Sequence, residues 1–183
     1  MNRSIKVSTA TVAMGLALSG AVQAVTLGDI AGAMAAPGNA AQATNDWTAF
    51  TKLAGAKWQG KAPAKGGNKY YWNGKVPIDG VGSGQISLVG GQKALDSATV
   101  GWPKNIVLAK VPEMLAAQFP KDTKLEQVRG ACPDERLSGS RIYRATLAGR
   151  KPLYLHIQFA AGDRGGSTST IEMEPQRNKG WIC

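Results

Sequence analysis

The sequence predicts a single small α+β domain, in which an antiparallel sheet built as a meander carries one or two short helices and one disulfide. Three observations lead there. Apolar runs of strand length recur between Gly, Pro, Asn and Asp turns over residues 70–174. Their connections are too short for the crossovers of a parallel sheet. Helical periodicity is confined to two short stretches outside those runs.

Residues 1–24 read as an export signal. Arg3 and Lys6 supply a positive start, residues 10–18 an apolar middle interrupted by Thr11, and Val22, Gln23 and Ala24 a small-residue cleavage site. The apolar middle falls short of the roughly 20 residues that a membrane-spanning helix needs. The mature chain is therefore expected to begin at Val25, to carry no transmembrane helix, and to work in the periplasm or as a secreted protein. No Cys directly follows the cleavage site, so no lipid attachment is expected there.

Residues 25–44 are rich in Ala and Gly and contain Pro37, Gly38 and Asn39, a composition that predicts a flexible N-terminal segment. Residues 45–183 then form the domain. Thr44, Asn45 and Asp46 offer capping side chains to a helix that places Trp47, Phe50 and Ala54 on one face, and Gly55 stops it. That spacing assigns Trp47 and Phe50 to the core. Strand-like runs follow at 70–72, 85–89, 98–100 and 106–108. The glycines at 80, 82 and 84 lead into a strand and not a helix, so they mark a hairpin turn and not a nucleotide loop. Residues 112–118 predict a second helix, with Pro112 in its first turn and Pro120 ending it. Four further strands are expected at 124–129, 141–147, 152–160 and 167–174, with turns at 148–150 and 163–166.

The chain has 22 Lys and Arg against 12 Asp and Glu. Loss of Arg3 and Lys6 with the leader lowers its formal charge from +10 to +8. Such a surplus favours anionic partners. Only Cys132 and Cys183 occur. In an oxidising compartment an even pair in one domain predicts a disulfide, closing a loop of about 50 residues at a gain of ~4 kcal/mol in the chain-entropy model. The bond would tether Trp181 and Ile182 to the core.

The sharpest local feature is the window 47–78, which contains no acid and six lysines, at 52, 57, 61, 65, 69 and 75. Trp58, Tyr70, Tyr71 and Trp72 are interleaved with them, and residues 60–68 form a Gly/Pro/Lys loop exposed to water. Cations beside flat aromatic faces suit an extended anionic ligand. Period-two alternation puts Tyr71 opposite Tyr70 and Trp72, so one of the two sides is core. The expected binding residues of this window are Lys57, Trp58, Lys61, Lys65, Lys69, Tyr71 and Trp72.

A second constellation arises if Leu155 pairs with Ala145 or Tyr143 and Ile157 with Ile171. His156, the sole histidine, is then exposed in a polar row of Arg144, His156 and Glu172. An acid-base pair is one reading of that row; a solvated face with cross-strand ion pairs is the one adopted. Arg144 and His156 join the expected binding residues on that basis.

Enzyme signatures are weak. One His and a bonded Cys pair leave no ligand set for zinc, so no metal or cofactor is expected. No Gly-x-Ser-x-Gly elbow leads from strand to helix around Ser83, Ser87 or Ser138, and Asp134 and Glu135 are adjacent and read as surface. The expectation is a non-enzymatic exported binding protein for an acidic protein partner, of inhibitor or immunity type. The alternatives are an anionic envelope glycan or lipid head group as ligand, a small periplasmic hydrolase, and a structural envelope subunit. Nucleic acid is not the expected partner.

Overall fold

A computed structural model of the chain describes residues 23–36, 47–128, 140–158 and 169–178. Among the described residues nine strands form one antiparallel sheet. The first five are β1 (Lys57–Trp58), β2 (Ala64–Gly66), β3 (Lys69–Ile78), β4 (Gly82–Gly90) and β5 (Leu95–Gly101). The other four are β6 (Lys124–Gln127), β7 (Ser140–Thr146), β8 (Leu153–Gln158) and β9 (Thr170–Glu174). Spatially they run β1, β3, β4, β5, β9, β8, β7, β6, with β2 beside β1 on the same edge of β3. Two meanders therefore join where β9 returns to pair with β5, Val100 opposite Ile171. Ile157 pairs with Ile171 and Leu155 with Tyr143, the registers that alternation implied.

One face of this sheet is apolar because every second residue is. Trp72, Val76, Ile86, Leu88, Val100, Leu155, Ile157 and Ile171 are all buried there. Three helices contribute to the same core: α1 (Leu27–Met34), α2 (Thr48–Thr51) and α3 (Val111–Gln118). Leu27, Ile30, Met34, Phe50 and Leu115 are at most 1 % exposed, and each such side chain stabilises the fold by about 1.5–3 kcal/mol. As expected, Trp47 and Phe50 are core residues.

The expectation of a flexible segment is corrected for residues 25–36. Leu27, Ile30, Ala31 and Met34 follow helical spacing and are fully buried. Thr26 caps the helix: its side chain accepts from the Asp29 backbone N–H, and Asp29 accepts in return from the Thr26 backbone. Val25 bridges β3 in parallel, donating to the Pro77 carbonyl at 2.8 Å and accepting from Asp79 N–H at 2.9 Å. The Gln118 carboxamide, buried at the end of α3, accepts from Leu27 N–H at 3.2 Å and donates to the Asp79 carbonyl at 3.0 Å. It thereby joins α1, α3 and the β3–β4 turn.

Residues 106–108 are not a strand. Ile106 and Val107 lie in a loop and Leu108–Lys110 forms a 3-10 turn leading into α3. The exposed loop 60–68 contains β2, which folds back on β3 through Gly67 and Asn68. Gly67 takes φ +62° at the first position of that two-residue turn, where a side chain would be strained. Residues 37–46, with the expected cap at 44–46, lie outside the described residues, as do residues 1–22 of the expected signal, Cys132, Cys183 and the acids at 134 and 135. The disulfide remains an expectation.

Candidate binding surface

The basic window folds onto one edge of the sheet, and alternation along β3 sorts its side chains. Trp72 points into the core and is 4 % exposed. Half-buried Trp58 stacks on it, ring centroids 4.4 Å apart and planes 24° from parallel, and meets Phe50 edge-on at 6.4 Å. Gly74 makes this possible: it lies opposite Trp58, and a Cβ there would come within 2.8 Å of Trp58 Cε3. Trp58 and Trp72 are thus corrected from ligand-facing aromatics to core, because their side of β3 is the side that the helices cover. Tyr71, on the opposite side, is 42 % exposed.

The lysines divide similarly. Lys57, Lys61, Lys65 and Lys75 are exposed. Lys57 and Lys75 are direct cross-strand partners in the β1–β3 register, an arrangement in which like charges repel. Among the described residues, none of these four forms an ion pair with a carboxylate. Lys69 does. Asp96 accepts its hydrogen bond, which holds the Lys69 ammonium above the ordinary lysine pKa.

The polar row on β7, β8 and β9 is only partly assembled. Glu172 lies directly opposite His156, with Nδ1 and Oε2 4.0 Å apart. Arg144 lies opposite Tyr154 and Glu126, one pair along, and meets Glu126 at 3.7 Å. Glu126 also accepts a hydrogen bond from Lys124, the main reason its carboxyl sits below the ordinary glutamate pKa. His156 is 1 % exposed, and so is Ile142 opposite it. The expectation of an exposed histidine is corrected: the strands are buried on both faces here. Glu174, one pleat along β9, has its pKa raised by burial first, and by Glu172 and Asp96 as nearby like charges.

Sequence reasoning missed a polar hollow of about 470 Å³ beside Lys75 on the face turned away from the helices. Gln85, Ser87 and Thr99 line it; their alternation along β4 and β5 was the available signal. Among the described residues no three His, Cys, Asp or Glu side chains converge as a metal site, and no helix is long and apolar enough to cross a membrane. The class that fold and surface define is an α+β sheet domain with a basic edge. Comparison with protein-family models, curated proteins and solved structures gives no match to this chain.

Proposed function

We propose that the chain is an exported, non-enzymatic binding protein whose basic edge engages an acidic protein, as an inhibitor or immunity-type protein does. The carrying observation is the cross-strand pair of Lys57 and Lys75, exposed and without a carboxylate partner among the described residues. An acidic surface laid on this edge relieves their repulsion, so the same groups that destabilise the free protein slightly strengthen the complex. Lys61 and Lys65 extend the patch along a hairpin whose residues 60–68 are exposed except for half-buried Pro63. Lysines on an edge strand also discourage unwanted strand pairing, and the two roles separate experimentally.

The test is capture from envelope extract by the mature protein beside a Lys57→Glu, Lys61→Glu, Lys65→Glu variant with an unchanged melting curve. The proposal expects a discrete acidic partner, retained by wild type at low salt, released as salt rises, and lost by the variant. Capture of the same partner by both proteins would contradict it.

A further inference from the structure

The hollow beside Lys75 has a chemistry that an acidic protein does not explain. Its volume falls at the small end of the range of small-molecule sites, which runs from roughly 300 to 1,000 Å³. Gln59, Asn73 and Gln85, which carry carboxamides, line it together with the hydroxyl-bearing Ser87, Thr99 and Thr170. Each carboxamide presents both donors and an acceptor, and each hydroxyl does both. A ligand whose own groups donate and accept around a ring, as sugar hydroxyls do, can satisfy such a lining. A plain anion would leave the amide oxygens facing negative charge.

Among the described residues only one charged side chain lines the hollow, that of Lys75. Among the described residues no carboxylate lines it, whereas calcium and magnesium sites are built on hard anionic oxygens. The floor is open because Gly101 lies opposite Gln85 on this face. A Cβ at Gly101 would make only ordinary contacts, the nearest 3.7 Å from Gln85 Cβ. A Cβ can therefore be added at Gly101 without a close contact.

We infer that this hollow binds a saccharide bearing a single anionic group, its hydroxyls held by the carboxamides and its charge by Lys75. The inference goes beyond the acidic-protein reading and fails separately from it, since the Lys57, Lys61 and Lys65 changes leave the hollow's polar lining in place. The anionic group is a carboxylate or a phosphate, and the probes distinguish them: glucuronic acid, glucose 6-phosphate and neutral glucose, titrated against the mature protein by calorimetry at low salt. Binding of either anionic sugar, more tightly than glucose, is the expected result, and whichever binds better names the group. Gly101→Val sets three carbons into the hollow and is expected to weaken the better anionic probe at least tenfold with no loss of melting temperature. Lys75→Gln is expected to remove about tenfold of the preference for anionic over neutral sugar. The inference is overturned if neither anionic probe binds at millimolar concentration, or if Gly101→Val binds as the wild type does.

Discussion

Replacing Ile30 by Ala asks whether α1 belongs to the core or is a dispensable leader. Ile30 is 0 % exposed, as are Leu27, Ala31 and Met34 on the same helical face. The change removes three carbons. At about 0.8 kcal/mol each their transfer accounts for roughly 2.4 kcal/mol, and the cavity left behind brings buried Ile→Ala losses to about 2–5 kcal/mol. That is a large part of the ~5–15 kcal/mol by which a domain is usually stable. At about 2–4 °C per kcal/mol for a domain of this size, the melting temperature should fall by roughly 4–20 °C. The assay is a circular-dichroism melt of the chain beginning at Val25. Asp29→Ala, which removes half of the capping box, should cost about 1 kcal/mol in the same assay. A drop below ~2 °C for Ile30→Ala would show that the helix is not packed in solution and that the flexible-segment reading was right.

Other perturbations follow from the same packing and charge. Gly74→Ala drives a Cβ to 2.8 Å from Trp58 Cε3 and 2.9 Å from the Lys57 carbonyl; overpacking of this kind costs about 1–3 kcal/mol, and the environment of the stacked tryptophans should change in near-ultraviolet circular dichroism. Glu174 has a folded-state pKa raised chiefly by burial, so its contribution favours folding below the ordinary glutamate pKa and is lost as pH rises through the raised value. Glu174→Gln should therefore stabilise the fold at about pH 7, by under about 1 kcal/mol after solvent screening, and leave its stability nearly unchanged at about pH 3. His156→Ala, at a position 1 % exposed, should lower stability by about 1–3 kcal/mol; an unchanged denaturation midpoint would argue that the side chain is solvent-exposed after all.

Alternation carried most of the sheet. It located the strands at 85–89 and 141–147 and paired Ile157 with Ile171, because a one-residue slip would turn a whole apolar row to water. It also separated Tyr71 from Trp72. It did not reveal His156, since a period of two assigns a face and says nothing of what covers that face. The helix at Leu27–Met34 was hidden by its small residues. Composition read Ala and Gly as linker, although Leu27, Ile30, Ala31 and Met34 at helical spacing behind Thr26 and Asp29 form a capping-box signature. The run Ile106, Val107, Leu108 has strand propensity but no sheet neighbour among the described residues: Ile106 N–H donates to the Ser169 hydroxyl at 3.3 Å, and Val107 is 58 % exposed. Propensity yields there to tertiary context. The basic edge was legible as a charge run, whereas the facing of Lys57 and Lys75 required the β1–β3 register.

Lysine footprinting of the captured complex tests the central claim most directly. The chain beginning at Val25 is acetylated with and without its partner, and modification at each lysine is read by mass spectrometry. If the basic edge is the recognition surface, Lys57, Lys61, Lys65 and Lys75 are protected in the complex, while Lys93, Lys104 and Lys121, exposed elsewhere, react as in the free protein. Protection centred on Lys104 and Lys110, or equal reactivity at all four edge lysines in both states, would contradict the account.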